Sequence, residues 1–356
     1  MKILITAPSL DESRNVSGIS TIVRQIIEYC PDQFLHFVAG REDRESSGVF
    51  WAIRQLILPF RFIAQILRFR PDVFHINTAL TDRSITRDAV LLAIARLTRT
   101  PVILAIHGGK YLIEDIPSKA MRFTTKRLLS MADSIVVYSD HEKGLIEERW
   151  APKNIFILPN AIPGRFIEKA QRSNDRPSIL YFGRMHESKG LHELTNAVRI
   201  LRKEGLDFDV RAYGEGPLRE YFVTEMASLL DDRFVYGGVI RGNEKWNIIR
   251  EADIFVLPSR YGEGLPMAML EAMATGCVVI VGNVASVRTV IENAKNGFLV
   301  EPFSEAELVQ KLKQTIRGEV NLEDIGLQAI ETVRKHFEIG QYVQRLSRIY
   351  ANTING

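Results

Sequence analysis

The amino-acid sequence predicts an α/β protein built as two domains, each around a parallel β-sheet. Segments with the pattern of buried strands alternate with amphipathic segments along the whole chain, which is typical of sheets whose strands are joined by helices. A chain of 356 residues is too long for one ordinary core, and it suits two domains of about 150–180 residues each. With 46% apolar and 25% charged residues, the composition is that of a normal globular protein.

Short apolar runs with the length and residue types of buried strands occur in both halves of the chain. In the first half they are residues 2–6, 34–38, 73–76, 102–106, 134–138 and 155–158. In the second half they are residues 179–182, 208–213, 234–236, 254–257, 278–281 and 298–300. The segments between them have the period of amphipathic helices, for example at 191–202 and 308–316.

A polar and irregular stretch at residues 163–177 marks the predicted linker between the domains. We therefore expect an N-terminal domain at residues 1–163 and a C-terminal domain at residues 177–339. The net charge is +5 through residue 165 and −2 for the remainder, so the N-terminal half is the basic one.

Several classes of protein are disfavoured by the sequence. Cys30 and Cys277 stand far apart in apolar segments, which predicts reduced core thiols. No run of 18 apolar residues occurs, and the strand-like residues 1–6 do not have the apolar core of a secretory signal. The sequence Asp-Phe-Asp at 207–209 has the form of a D-x-D metal motif, but it begins a predicted strand, away from the end at which ligands bind. We therefore expect a cytoplasmic protein with no metal site.

Two glutamates, Glu263 and Glu271, stand in the loop and in the helix that follow the predicted strand at 254–257. A helix N-terminus is a natural site for a phosphate, because its first amides have no partner within the helix. Carboxylates would repel a phosphate but suit hydroxyl groups, which a nucleotide sugar carries on both sides of its diphosphate. The pattern therefore indicates a site for a nucleotide sugar.

A second group of residues follows the predicted strand at 179–182. Gly183 allows the backbone to approach a ligand closely, and Arg184 and Lys189 lie in the same loop. A guanidinium and an ammonium can together neutralise a diphosphate as it leaves. The predicted strand at 208–213 runs into a further glycine turn at Gly214. All these loops lie beyond the carboxyl ends of strands, where open α/β sheets bind their ligands.

Together these motifs resemble those of the retaining glycosyltransferases of family 4, which have the GT-B fold. The motifs are Gly-Arg-x-x-x-x-Lys-Gly from residue 183, Gly-x-Gly-Pro from residue 214 and Glu-x7-Glu from residue 263, and the resemblance spans nearly the whole chain. It implies two Rossmann-like domains facing a central cleft, with the nucleotide sugar bound by the C-terminal domain and the acceptor by the N-terminal domain. It also implies that the last helix, in residues 340–356, crosses back onto the N-terminal domain.

The resemblance implies a catalytic set and a role for each member. Arg184 and Lys189 would hold the diphosphate, Glu263 would meet the donor sugar, and His107 would lie near the reacting sugar carbon. Glu271 would take the ribose hydroxyls as a substrate-binding residue.

The resemblance also implies substrate contacts made by backbone groups. The residues concerned are Gly18, Gly183, Gly214, Gly264 and Leu265. Gly18 would bring its amide to the donor phosphate, and the amides of Gly264 and Leu265 would lie near the phosphates.

The predicted function is that of a retaining hexosyltransferase that moves a sugar from a nucleotide diphosphate sugar to an acceptor hydroxyl. A UDP-sugar is the favoured donor, and the expected pathway is the synthesis of an envelope polysaccharide or a lipid-linked glycan. No cofactor, metal or nucleic acid is expected, since Arg184 and Lys189 supply the positive charge. Two alternatives stay open: a nucleotide-sugar epimerase of the same fold, and a non-catalytic protein that binds nucleotide sugars.

The segment at residues 50–70 allows two interpretations. It is rich in apolar and aromatic residues, and Arg54, Arg61 and Arg68 recur at intervals of seven, so that they share one helical face. Such a surface can lie on anionic lipid, which would give the N-terminal domain peripheral contact with the inner face of a membrane. The alternative is an ordinary core helix whose arginines are solvated.

Overall fold

A computed structural model of the chain describes residues 1–40, 48–164 and 176–356. The chain divides into two units: unit 1 is Met1–Pro163 with Ile339–Gly356, and unit 2 is Gly164–Glu338. Most of the predicted linker, residues 165–175, lies outside the described residues.

Unit 1, in its described residues, holds one parallel sheet of six strands with helices between them. The strands are β1 (Lys2–Ala7), β2 (Gln33–Val38), β3 (Val73–Thr78), β4 (Val102–Ile106), β5 (Ser134–Val137) and β6 (Ile155–Ile157). The helices are α1 (Gly18–Tyr29), α2 (Val49–Phe69), α3 (Asp82–Leu97), α4 (Lys110–Ile113), α5 (Lys119–Met131) and α6 (Asp140–Trp150). The strand order is β2-β1-β3-β4-β5-β6, and every neighbouring pair is parallel.

Unit 2 repeats this plan with a second parallel sheet. Its strands are β7 (Ser178–Phe182), β8 (Asp209–Tyr213), β9 (Phe234–Tyr236), β10 (Ile254–Leu257), β11 (Val278–Gly282) and β12 (Phe298–Val300). Its helices are α7 (Leu191–Lys203), α8 (Arg219–Leu230), α9 (Gly242–Glu251), α10 (Met267–Ala274), α11 (Glu305–Ile316) and α12 (Leu322–His336). The strand order is β12-β11-β10-β7-β8-β9, which is the order of the doubly wound Rossmann sheet.

The last helix, α13 (Ile339–Asn355), belongs to unit 1. It packs with α1 on one face of the sheet, where Leu346 and Tyr350 share a core with Ile3 and Ile5 of β1. Leu4 points to the opposite face, since side chains alternate along a strand, and contributes to a second core covered by α2, α3 and α5. Helices thus cover both faces, which explains why the central strands β3 and β4 are buried along their whole length.

The predicted fold class is confirmed. Each predicted strand is a strand in the structure, and its ends differ from the prediction by two residues at most. Cys30 and Cys277 are both buried, as predicted. In the part of the chain that the structure describes, no helix combines the length and the apolar character needed to cross a bilayer.

Each sheet has a point at which the order of its strands reverses. In unit 2 this switch point lies between β7 and β10, because the chain winds outward from β7 through β8 to β9 and from β10 through β11 to β12. In unit 1 it lies between β1 and β3. Open α/β sheets bind ligands beyond the carboxyl ends of their strands at such a point. The loops after these strands are therefore where the fold favours a site.

Candidate functional site

An ion pair joins the loop after β7 to the loop after β10. Lys189 Nζ lies 2.5 Å from Glu263 Oε1, and Ser259 Oγ donates a hydrogen bond of 2.7 Å to the same carboxylate oxygen. The lysine and glutamate side chains are only 17% and 10% exposed, so each charge depends on its partner. Two of the predicted catalytic residues are thus brought together at the switch point of unit 2.

Two glycines allow the loop after β7 to approach the loops after β8 and β10 closely. Gly190 has a φ of +69°, and a Cβ there would lie 2.0 Å from the carbonyl oxygen of Pro258. Gly214 has a φ of +134°, and a Cβ there would lie 1.8 Å from the carbonyl oxygen of Gly183. Any side chain would collide with the neighbouring backbone at either position, so glycine is required. The predicted glycines Gly183 and Gly214 are therefore in direct contact.

Arg184 lies on an exposed part of the loop after β7. Its carbonyl oxygen accepts a hydrogen bond of 2.8 Å from the hydroxyl of Tyr181, a fully buried residue. Burial, together with the negative charge of Glu263, raises the pKa of Tyr181 well above its ordinary value, so this hydroxyl stays protonated. The buried tyrosine fixes the backbone of a loop that carries an exposed cation.

Gly264 and Leu265 are buried in the turn that leads into α10, the helix that begins at Met267. Pro266 precedes the helix and makes no side-chain cap, and the first turn has no acidic residue. The partial positive charge of this helix end is therefore not neutralised by its own sequence, which suits a phosphate.

Glu271, in the middle of α10, is almost completely buried and forms an ion pair. Its Oε1 lies 2.6 Å from Lys245 Nζ, and the two side chains are 2% and 17% exposed. The ammonium group of Lys245 also lies 5.8 Å from the ring centre of Phe182 and 5.7 Å from that of Trp246. Glu271, the predicted ribose-binding residue, is thus paired with a lysine whose ammonium group lies close to two aromatic rings.

Arg260 makes a second cross-link at the switch point between β7 and β10. Its guanidinium lies 2.7 Å from Glu193 Oε1 and 3.6 Å from Glu187 Oε1, and its backbone amide donates to the carbonyl of Ser188 at 2.8 Å. One residue therefore ties the loop after β10 to the segment that carries Lys189. Its own side chain is 13% exposed, which fits a structural role.

Four residues of this site carry no motif from which the sequence predicted them. They are Tyr181, Lys245, Ser259 and Arg260. Lys245 is 26 residues from its partner Glu271 in sequence, and no sequence motif surrounds it in α9. Ser259 and Arg260 carried a weak signal, because they follow β10 directly and precede Glu263 in the same loop.

In unit 1, His107 follows β4, and both of its ring nitrogens are hydrogen bonded. Nε2 lies 2.5 Å from Asn77 Oδ1, and Nδ1 contacts the hydroxyl of Tyr138. Asn77 Nδ2 donates to the carbonyl of Thr6 at 2.8 Å, which leaves its Oδ1 as the acceptor for His107. Nε2 therefore carries the proton and Nδ1 accepts from Tyr138, so the ring is held as one neutral tautomer.

His75, on β3, is a second uncharged histidine in unit 1. It is 2% exposed, and its Nδ1 lies 2.6 Å from the hydroxyl of Tyr350 in α13. Burial lowers the pKa of His75 to about 4. Burial and the nearby His75 lower the pKa of His107 to about 3. Near neutral pH this part of unit 1 offers hydrogen-bonding groups without net charge.

Gly18 is the exposed first residue of α1, in the segment after β1. Ser17 caps the helix, and its Oγ accepts a hydrogen bond of 3.3 Å from the amide of Ser20. Asn15 Oδ1 accepts from the amide of Ser17 at 3.0 Å and holds the cap in place. The first turn contains no acidic residue, so this helix end, like that of α10, suits an anion.

Among the described residues, no group of three or more His, Cys, Asp or Glu side chains is arranged to hold a metal ion. In the Asp-Phe-Asp sequence at 207–209, Asp207 forms ion pairs with Arg176, at 2.9 Å, and with Arg233. Because β8 begins at Asp209, these acids stand at the beginning of a strand, opposite to the end that carries the site.

Two family profiles match the sequence, one in each unit. The family described as Glycosyl transferases group 1 matches residues 164–332. The family described as Glycosyl transferase 4-like domain matches residues 18–161. The matched segments correspond to the greater part of unit 2 and of unit 1.

Known proteins are similar to the chain in sequence and in fold. The amylovoran biosynthesis glycosyltransferase AmsK of Erwinia amylovora is 30% identical over 198 residues, which cover 52% of this chain and 49% of AmsK. Sucrose-phosphate synthase from Thermosynechococcus elongatus matches with a TM-score of 0.81 at 17% identity, over 99% of this chain and 98% of the other. Anabaena HepE in complex with UDP-glucose matches with a TM-score of 0.78 at 16% identity, over 99% and 100%. The chain spans about half the length of the first curated relatives it matches.

Proposed function

Because the chain belongs to the group 1 glycosyl transferases, which have the GT-B fold, we propose that it transfers a sugar from a nucleoside diphosphate sugar to an acceptor hydroxyl. The observation that carries this proposal is the Lys189–Glu263 pair at the switch point of unit 2. A donor of this class requires a cation for its diphosphate and a carboxylate for a sugar hydroxyl, and the pair supplies both. Unit 2 would bind the donor and unit 1 the acceptor.

The proposed reaction breaks the bond between the anomeric carbon and the diphosphate oxygen, which leaves with the electron pair. Arg184 and Lys189 stabilise the charge that develops on the leaving diphosphate. The acceptor oxygen bonds to the anomeric carbon from the same face, so the configuration is retained, and its proton passes to the diphosphate. The two hydrogen bonds already made by the ring of His107 support a route in which the diphosphate takes this proton. In this scheme His107 acts as a neutral group that Tyr138 positions.

The remaining site residues would bind the donor. Glu271 accepts hydrogen bonds from the ribose hydroxyls, while Lys245 holds its Oε1. The backbone at Gly264 and Leu265 lies at the start of α10 and suits the phosphates. Gly18 would offer a further amide at the start of α1, and Gly183 and Gly214 keep the loops around the donor close together.

A UDP-sugar is the favoured donor, because the similarly folded HepE binds UDP-glucose. The relative AmsK acts in amylovoran biosynthesis, which favours an envelope polysaccharide or a lipid-linked glycan as the product pathway. We propose that no metal takes part, since Arg184 and Lys189 supply the positive charge that a metal ion would otherwise bring.

Calorimetric titration of the full chain with UDP, GDP, ADP and CMP, and then with their sugars, tests the donor site. We expect UDP to bind, and to bind equally well in the presence of a chelator. Loss of binding on chelation would contradict the metal-free site, and binding to none of these ligands would contradict the donor assignment.

Product analysis without an acceptor separates the proposed transfer from the alternatives. A transferase consumes its donor only slowly by hydrolysis, whereas an epimerase converts it to an equilibrium mixture of two isomers. Binding with no turnover in the presence of a range of glycan and lipid-linked acceptors would favour a non-catalytic protein. In a productive reaction, the anomeric configuration of the linkage, measured by NMR, tests retention.

A further inference from the structure

One side of α2 forms an exposed apolar stripe. Its members, between 40% and 74% exposed, are Ile53, Leu56, Ile57, Phe60, Ile63 and Leu67. Spacings of three, four and seven residues place them on one face of the helix. The opposite face carries Leu58, Phe62 and Ile66, which are buried in a core of unit 1. The helix is therefore apolar on two sides, and only one side faces the core.

Basic residues run along one edge of the stripe. Arg54, Arg61 and Arg68 recur at intervals of seven, and α2 contains no acidic residue. Arg61 and Arg68 are exposed, while Arg54 is half-buried and donates to the carbonyl of Gly40 at 3.2 Å. A large apolar surface bordered by cations has the composition of a surface that lies in the interface of an anionic membrane.

The neighbouring helices extend this basic character. α3 and α5 cover the same face of the sheet as α2. Together the three helices contain ten lysines and arginines against two aspartates, although the net charge of the whole chain is only +3. One of these aspartates, Asp88, is buried and paired with Arg87 at 2.7 Å. Leu97 and Phe123 add exposed apolar groups to the layer, at 84% and 61% exposure.

We propose that this outer layer of unit 1 (α2, α3 and α5) binds the surface of an anionic membrane. The apolar stripe is about 20 Å long and enters the boundary between headgroups and acyl chains. The exposed cations Arg61 and Arg68 at its edge, and exposed basic side chains of α5 such as Lys119 and Lys126, contact lipid phosphates. A second copy of the chain fits this surface poorly, because it would bring the same cations together. The inference rests on this surface alone and is independent of the proposed transfer reaction.

Flotation of the full chain with lipid vesicles tests the proposal. One vesicle preparation is pure phosphatidylcholine, and the other contains phosphatidylglycerol in addition. We expect binding to the anionic vesicles, with a decrease as salt is added, because screening weakens the contribution of the arginines. No binding of the wild-type chain to anionic vesicles would overturn the proposal.

A stripe variant, Leu56→Gln with Phe60→Gln and Leu67→Gln, identifies the surface. These three side chains are 70–74% exposed, so their replacement leaves the core intact. We expect vesicle binding to fall by about tenfold or more. Leu327→Gln with Val235→Gln, at exposed apolar positions of unit 2, is the matched control and should bind as the wild type does.

A charge variant, Arg61→Gln with Arg68→Gln, should reduce the preference for phosphatidylglycerol and the salt dependence together. Unchanged binding of the stripe variant would overturn the proposal. So would a wild-type dimer that binds no vesicles and becomes a monomer in the stripe variant, since a second copy would then cover the stripe.

Discussion

Both units place a cluster of polar side chains at the carboxyl end of their sheets. The cluster in unit 1 is neutral, whereas the cluster in unit 2 is charged. In unit 1, His107 makes hydrogen bonds with Asn77 and Tyr138, and the cluster carries no charge. In unit 2, Lys189 and Glu263 form an ion pair that is partly exposed. The three side chains are exposed to a similar degree, so the chemistry of the groups accounts for the difference. A desolvated imidazole gives up its proton readily, whereas a lysine and a carboxylate stabilise each other's charge by pairing.

This difference suggests different tasks for the two clusters. A charged group that has only a side-chain partner can exchange that partner for a charged ligand. A neutral group whose hydrogen bonds are all satisfied fixes the local side-chain geometry and resists protonation. The ion-pair cluster of unit 2 is thus suited to binding and chemistry, and the histidine cluster of unit 1 to positioning.

Removal of a charge from unit 2 should have the largest effect. Lys189→Ala takes away one of the two cations proposed to stabilise the leaving diphosphate, so kcat/KM should fall about 100- to 1000-fold. Steady-state transfer from the donor identified by calorimetry measures this effect. Lys203→Ala, at an exposed position in the last turn of α7, is the control and should retain full activity. Equal activity of the two variants would contradict the role of Lys189.

The second-largest effect should come from a substitution in the backbone next to Lys189, which positions the ion pair. Gly190→Ala would place a Cβ 2.0 Å from the carbonyl oxygen of Pro258, and we expect a loss of about 3 kcal/mol of unfolding free energy. Gly205→Ala has a similar φ of +78° but no atom within 4 Å of the added Cβ. The Gly205→Ala variant should lose about 1 kcal/mol of unfolding free energy, from backbone strain alone. Urea unfolding of both variants measures the two losses of unfolding free energy. Equal losses would contradict the idea that the close contact with Pro258 requires glycine at position 190.

Acid should destabilise unit 1 through its neutral histidines. Below pH 6.5 the unfolded chain binds protons at His75 and His107, whereas the folded rings stay neutral until their pKa values of about 4 and 3. Stability is therefore fully present above pH 6.5 and is lost as the pH falls. At pH 5 the loss should be about 2 kcal/mol for each histidine. The chain with His75→Asn should lose less stability over this range, and an unchanged pH dependence of unfolding would show that His75 is charged when folded.

Removal of a single hydrogen bond between neutral groups should have the smallest effect on stability. Tyr138→Phe removes the donor to His107 Nδ1 and leaves a polar atom without that partner, which should cost about 1 kcal/mol of unfolding free energy. The ring shifts of His107 in NMR spectra should also change, since its tautomer loses a constraint. Tyr29→Phe, at an exposed tyrosine of α1, is the matched control and should change neither quantity.

The sequence predicted the strands well, because β4 and β10 are apolar runs buried on both faces and bounded by polar loops. It also singled out Lys189 and Glu263 separately, but their contact depends on β7 and β10 lying side by side. The pairing of Lys245 with Glu271 depends on the packing of α9 against α10 and was not predicted. In α2 the sequence pattern showed apolar residues on more than one side, and periodicity cannot tell which side meets the core.

The return of α13 to unit 1 has a consequence for the order of events during synthesis. One face of the first sheet is completed by Leu346 and Tyr350, which the ribosome adds about 340 residues after β1. Unit 2 is contiguous in sequence and can fold as soon as it emerges, whereas the nascent first unit keeps part of its apolar face uncovered until the last helix arrives. A chaperone that binds apolar surface should therefore hold the growing chain longest through its earliest-made half.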